Sequence, residues 1–179
     1  MTFAVRYPAT GDNVPGKGSG IVSVFNLDST FNQRFAQGGH LKAPWGIALV
    51  PSSNFGPLAG TLWIGNFGDD HINAFNPTGG AFIDQVRRSN GKPLVIDGLW
   101  ALQVGNGVNG GLPNAVYFTA GPNDDEKDGF FGSLTPNPNW PDSGRASSSS
   151  LTSEPTRWTS FGGAIQRELE RRERKLRAR

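Results

Sequence analysis

The sequence predicts an all-β fold, a partial β-propeller of about two to three four-stranded blades of a six-bladed type, followed by a disordered linker and a C-terminal helix. Composition is the first observation, because 25 Gly and 13 Pro among 179 residues indicate many turns, while five Trp and twelve Phe require a core. The second is a series of short apolar stretches that recurs about 55 residues further along the chain. The third is a change of character after residue 136.

Several short stretches have the apolar and β-branched composition of strands, and turn sequences rich in Gly, Asn and Asp separate them. Residues 31–36 place polar side chains where the outer strand of a hairpin faces water. The expected strands are residues 2–6, 21–27, 31–36, 44–49, 61–66, 71–75, 81–86, 99–104, 116–119 and 129–134.

The stretch 44–75 is the most complete unit, and a degraded copy follows it. Trp100 repeats Trp45 at an offset of 55 residues, and Tyr117 repeats Trp63 at an offset of 54. A four-stranded sheet has two apolar faces that it cannot bury alone, so such repeats predict sheets stacked around an axis. We expect Trp45 and Trp63 to fill the space between blades. The alternative is an ordinary β-sandwich.

An incomplete unit precedes this stretch. Thr2 matches Thr61 at an offset of 59 residues, so the first blade is expected to begin partway through.

Three regions are predicted: a partial propeller over 1–136, a Pro/Ser-rich disordered linker over 137–162 and a basic helical tail over 163–179. Residues 164–179 hold seven Lys/Arg and three Glu, whereas the rest of the chain holds ten Lys/Arg and twelve Asp/Glu. The body is therefore weakly acidic, which argues against a nucleic-acid partner. The tail could touch acidic lipid or nucleic acid, or form a solvated helix. No apolar run is long enough to span a membrane, no signal peptide is visible, and the absence of Cys excludes thiolate chemistry.

Five motifs in order resemble the C-terminal half of an uncharacterised bacterial propeller family similar to NHL-repeat proteins. They are Pro-Trp-Gly-Ile-Ala at 44–48, Leu-Trp-Ile-Gly-Asn-Phe-Gly-Asp at 62–69, Ile-Asn-Ala-Phe at 72–75, Val-Ile-Asp-Gly-Leu-Trp at 95–100 and Tyr-Phe-Thr-Ala-Gly-Pro-Asn at 117–123. The resemblance implies a ring of six blades and an exported, periplasmic or extracellular protein. Measured against that family, the chain is expected to lack the N-terminal half and an export signal. An open ring would expose apolar blade faces, so self-association is expected.

Candidate metal ligands fall into two groups. Asp124, Glu126 and Asp128 have the spacing that begins an EF-hand loop, but Thr135 stands where the bidentate Glu belongs, and an acidic turn is the alternative. Asn66, Asp97 and Asn106 lie near strand ends and could meet at a central axis, by analogy with calcium sites of lactonase-type propellers.

The pair Asp69 and His71 could serve as a base, although Gly-Asp-Asp is also a turn sequence. The Gly-rich stretch 105–111 lacks the Lys-Ser/Thr of a phosphate loop. No catalytic residue and no cofactor are assigned, with calcium as the one possible ion. The sequence therefore favours a non-catalytic binding or scaffold module. The alternatives are a calcium-dependent lactonase-like hydrolase and a gene fragment without function of its own.

Overall fold

In a computed structural model, the described residues are 1–12, 14, 16, 18–53, 55–122 and 129–136, together with the backbone of 158–161. They form three antiparallel β-sheets, and their only helix is a short 3₁₀ turn, Gly56–Leu58. The all-β prediction is confirmed. Within this part of the chain, no helix is long and apolar enough to cross a membrane. The predicted helix over 163–179 lies outside the described residues.

Sheet 1 has three strands and sheets 2 and 3 have four each, and in every sheet the neighbours are consecutive along the chain. Sheet 1 contains β1 (Thr2–Ala4), β2 (Gly20–Phe25) and β3 (Phe31–Gln37). Sheet 2 contains β4 (Pro44–Leu49), β5 (Leu62–Asn66), β6 (Ile72–Phe75) and β7 (Phe82–Gln85). Sheet 3 contains β8 (Leu99–Val104), β9 (Val116–Ala120), β10 (Phe130–Pro136) and β11 (Trp158–Phe161).

The strands follow the expected stretches, with shorter ends at β1 and β7. As expected of an outer strand, β3 exposes its first four residues to water. Strand β11 falls inside the range predicted to be a linker. Its backbone pairs with β10 from Ser133↔Phe161 to Pro136↔Trp158. The rest of the predicted linker lies outside the described residues.

Sheets 2 and 3 repeat each other residue by residue. Ile47 pairs with Ile64 in sheet 2, and Leu102 pairs with Phe118 in sheet 3, which gives the predicted offsets of 55 and 54 residues. An irregularity interrupts β4 between Pro44 and Ile47, and β8 carries one at the same place, between Leu99 and Leu102. The repeat is therefore a repeat of register as well as of sequence.

Sheet 1 corresponds to sheet 2 at a different offset from the predicted one. Phe25-Asn26 leads into a turn closed by a backbone bond from Asn26, as Phe75-Asn76 does in sheet 2. Thr2 pairs with Val22 and Gly65 pairs with Ile72. Thr2 therefore corresponds to Gly65, and the predicted match with Thr61 is wrong by four residues. The strand is too short for composition alone to fix its position.

Two apolar layers hold the sheets together. The larger lies between sheets 2 and 3 and includes Trp63, Ile72, Leu99, Leu102 and Phe118. The smaller lies between sheets 1 and 2 and includes Val22, Phe35, Leu41, Ile64 and Phe75. Side chains of a strand alternate between faces, so each of these layers uses a different face of sheet 2.

Strand β4 is the central strand of the stack, since it packs against β1 on one side and β8 on the other. The Thr2 hydroxyl donates a hydrogen bond to the Trp45 carbonyl at 2.9 Å across the first junction. Trp63 is fully buried, as expected, in an edge-to-face contact with Phe55. Trp45 is 51% exposed, so the expectation that it fills the space between sheets is wrong. The irregularity after Pro44 breaks the alternation that would have turned it inward.

Candidate functional site

A cluster of four polar side chains surrounds the turn between β5 and β6, and we call it the Asp69 cluster: Lys42, Asn66, Asp69 and His71. The Asp69 carboxylate accepts hydrogen bonds on both oxygens. Oδ1 receives the Asn66 side-chain amide at 2.9 Å, and Oδ2 lies 2.6 Å from Lys42 Nζ and 3.5 Å from His71 Nδ1. His71 Nδ1 also lies against the backbone carbonyl of Asp69. These residues come from two segments that are distant in sequence.

Backbone bonds bring those segments together. The N–H groups of Phe67 and Gly68 donate to the carbonyls of Ala43 and Lys42 at 3.0 Å each. Asn66 receives a bond from the N–H of Asp70, which closes the turn. The Lys42 side chain therefore projects over the turn that carries Asp69.

The charges in the cluster shift two pKa values in opposite directions. Burial by itself would raise the pKa of the Asp69 carboxyl, but hydrogen bonds from His71, Lys42 and Asn66 outweigh it and hold the pKa well below its usual range. The hydrogen bond to Asp69 raises the pKa of His71, and burial opposes it only in part. Both shifts favour the charged forms of the pair.

Asp70 has a separate role. Its backbone is in the left-handed region, with φ of 62°, which Asp tolerates better than most residues. Its Oδ1 accepts the N–H of Gly98 at 2.9 Å, and its carbonyl accepts the N–H of Ile96. Burial raises the pKa of Asp70, and the Gly98 bond offsets this only in part. Asp70 thus fastens the turn of sheet 2 to the chain segment that enters sheet 3.

Two buried amides lie beside the cluster. Asn66 and Asn73 both donate from Nδ2 to the His40 carbonyl, at 2.8 and 3.1 Å, and the side-chain oxygens of both accept no hydrogen bond from the described residues. The His40 ring stacks on Phe82, with ring centroids 3.5 Å apart. Sequence reasoning missed Lys42, His40 and Asn73, because nothing in local spacing links them to the turn.

The predicted calcium ligands are placed as follows. Asn66 ends β5 and Asp97 lies two residues before β8, at the same end of the sheets and near Asp70. Asn106 lies two residues beyond the last residue of β8, at the opposite end. Asn106 Oδ1 accepts the N–H groups of Val108 and Gly110 at 2.9 and 2.8 Å, which shapes an exposed loop. The three residues therefore do not converge. Asp124, Glu126 and Asp128 lie outside the described residues.

In the part of the chain that the structure describes, no group of three or more His, Asp or Glu side chains is arranged to hold a metal ion. The Gly-rich stretch at 105–111 forms a loop against Tyr117, whose hydroxyl accepts the Leu112 N–H at 3.0 Å.

The fold is that of an all-β protein of repeated, stacked antiparallel sheets, and the Asp69 cluster lies at one end of sheet 2. Comparison with known proteins places the chain beside uncharacterized proteins of Acanthamoeba polyphaga mimivirus. It is 37% identical to protein R648 over 141 residues, an alignment that covers 73% of this chain and 32% of the relative. It is 38% identical to protein L690 over 123 residues, covering 65% and 29%, and 31% identical to protein R640 over 121 residues, covering 67% and 22%.

The chain spans about a third or less of the length of these relatives. No protein-family model matches it, and no solved structure does. The predicted membership of a bacterial NHL-like family is wrong, because the relatives found are viral proteins. The motifs that carried the resemblance lie largely on strands β4, β5, β6, β8 and β9 and on the turns beside them, and such positions are constrained by sheet geometry in unrelated proteins.

Proposed function

We propose that this chain is a propeller-type module with a binding or scaffold role, in which the Asp69 cluster is structural and not catalytic. The observation that carries the proposal is the repeat of register between sheets 2 and 3, down to the irregularity in their first strands. A chain built of such repeats offers faces and edges for other molecules.

The position of β4 supports the propeller arrangement. First strands of neighbouring blades lie side by side near the axis of a propeller. Here β4 packs against β8, which is its counterpart in sheet 3. Gly46 makes this approach possible, because a methyl group there would lie 2.6 Å from the Trp100 carbonyl oxygen.

The electrostatics of Asp69 argue against its use as a general base. A general base works best when its pKa is near the working pH. The pKa of Asp69 lies far below that range, and the hydrogen bond to Asp69 raises the pKa of His71. The Asp69 carboxylate is already engaged by Asn66, Lys42 and His71, so it is not poised to accept a proton from a substrate.

A calcium-dependent hydrolase of the lactonase kind is the second candidate. The observation in its favour is the pair of buried amide oxygens on Asn66 and Asn73, which accept no hydrogen bond from the described residues. Amide and carboxylate oxygens are ligands that Ca²⁺ prefers.

Calcium titration separates the two candidates. We expect the melting temperature of the purified chain to be unchanged by CaCl₂ up to about 10 mM, beyond the range of weak protein sites. We also expect no hydrolysis of a panel of lactones above the buffer rate. A calcium-specific rise in melting temperature that Asp97→Asn removes, and the matched Asp84→Asn leaves intact, would overturn the scaffold proposal. Asp84 is a suitable control because it pairs with Arg87 on the outer strand of sheet 2.

A further inference from the structure

The three sheets form a stack with two exposed ends, and those ends are unlike. In sheet 2, one face carries Trp63 and Ile72, and sheet 3 covers it completely. By register, the counterparts of these two residues in sheet 3 are Tyr117 and Phe131. Phe131 is 70% exposed, and its ring stacks on Tyr117 with centroids 5.6 Å apart. Sheet 3 thus presents the same kind of face that sheet 2 buries. In the described chain, the loop at 105–111 contacts Tyr117 on this face but leaves Phe131 exposed. We call this face of sheet 3 the Phe131 face.

The other end of the stack belongs to sheet 1. Val22 and Val24 point toward sheet 2, so the alternate residues of β2 point away from it. The outward side carries Phe3, Ile21, Phe25 and Phe31, of which the three Phe are exposed. The rings of Phe25 and Phe31 meet edge to face at 5.8 Å. We call this the Phe31 face.

The Phe31 face corresponds to the face by which sheet 2 packs on sheet 1 and by which sheet 3 packs on sheet 2. Phe25 corresponds to Phe75, which lies on the side of sheet 2 that covers sheet 1. The corresponding side of sheet 3, which includes Phe118 and Leu134, covers Trp63. Both junctions within the chain therefore join the same two kinds of face. Among the described residues, sheet 3 leaves the first kind of face exposed and sheet 1 leaves the second kind exposed.

We propose that two copies of this chain bind head to tail, with the Phe131 face of one copy seated on the Phe31 face of the next. A second copy is the expected partner, because the two exposed faces are of the same two kinds that pack together at the junctions between sheets 1 and 2 and between sheets 2 and 3. Such a contact is heterologous, so it adds copies until a ring closes or a filament grows. The proposal rests on the stacked-sheet architecture proposed above, but it is independent of calcium and of hydrolysis.

The test is the mass of the full chain in solution as its concentration is raised, by sedimentation or light scattering. We expect masses at multiples of the 19.2 kDa chain. Phe131→Lys and Phe31→Lys each place a charge on one face, and each variant alone should remain monomeric. Ile83→Lys is the matched control, because Ile83 is an exposed apolar residue on sheet 2, away from both ends, and it should associate as the wild type does.

Mixing the two face variants gives the decisive outcome. Each retains one intact face, so an equimolar mixture should form a dimer that contains one copy of each and grows no further. A wild-type chain that stays at 19.2 kDa at every concentration overturns the proposal, as does association that survives either single variant. Circular dichroism and melting of all variants show whether they are folded. A calcium response would contradict the scaffold role alone and leave this inference standing.

Discussion

Gly46 in β4 lies directly against the backbone of Trp100 in β8. A β-carbon at residue 46 would come within 2.6 Å of the Trp100 carbonyl oxygen and within 2.8 Å of the Leu102 amide nitrogen. Both obstacles are backbone atoms, which cannot rotate away. The glycine therefore sets the spacing between sheets 2 and 3.

Gly46→Ala should destabilise the chain by about 1–3 kcal/mol, the usual cost of forcing extra volume into a packed contact. Chemical denaturation measures the change. The matched control is Ala101→Gly, because Ala101 occupies the same place in β8 and is exposed. It should cost no more than about 1 kcal/mol, from backbone entropy alone. Unchanged stability of Gly46→Ala would show that the sheets are free to separate.

The two Trp residues of sheet 2 should differ sharply. Trp63 is fully buried between sheets, so Trp63→Ala should cost about 3–5 kcal/mol. Trp45 is 51% exposed and touches Phe67 at a tilt, so Trp45→Ala should cost about 1 kcal/mol. Urea melts of the two variants provide the comparison. Equal losses would contradict the buried position of one and the exposed position of the other.

Replacing Asp70 separates its charge from its hydrogen bond. Because the pKa of Asp70 is raised in the fold, its negative charge opposes folding at neutral pH, and that opposition disappears as the pH falls through the raised pKa. Asp70→Asn keeps an acceptor for Gly98 and tolerates positive φ, so it should be at least as stable as the wild type at pH 7.

The control variant for this experiment is Asp70→Ala. It loses the acceptor and strains the left-handed backbone, and should cost about 1–3 kcal/mol. If the Asn and Ala variants lose equal stability, the bond to Gly98 contributes nothing.

The ion pair of the Asp69 cluster should make stability depend on pH from both sides. The pKa of His71 is raised, so its contribution is complete below about 6.5 and is lost as the pH rises through the folded value. The pKa of Asp69 is lowered, so its contribution is present above about 3.8 and is lost as the pH falls toward the folded value. Both contributions coexist between these limits.

His71→Gln should therefore remove the decline in stability that is expected of the wild type as the pH rises above about 6.5, measured by urea denaturation at each pH. Asp69→Asn should remove it as well, since it deprives the imidazolium of its partner. Parallel pH profiles for the wild type and His71→Gln would contradict the pairing of His71 with Asp69.

The sequence was sufficient for the sheets that repeat and insufficient for the site. Trp45 and Trp100, and Trp63 and Tyr117, mark the correct offsets because they occupy equivalent register positions in sheets 2 and 3. The inward position assigned to Trp45 failed because a one-residue irregularity reverses the facing of a strand without leaving a mark in composition.

The sequence predicts the turn that carries Asp69 but not the side chains that surround it. Gly68-Asp69-Asp70 is readable as a turn, yet the Lys42 partner comes from another segment, and no local pattern connects the two. Asp70 offers a similar lesson, since its acceptor role depends on Gly98, 28 residues away. Such contacts depend on how sheets stack, which a pattern of apolar residues does not specify.

The consecutive order of strands in sheets 1 and 2 also bears on how the chain reaches its folded state. Each strand pairs with the one just made, so closing each loop costs less entropy than a crossover between strands further apart in the chain. During synthesis, sheet 1 and then sheet 2 could form in turn as they leave the ribosome. Each finished sheet would then act as a template on which the next one nucleates.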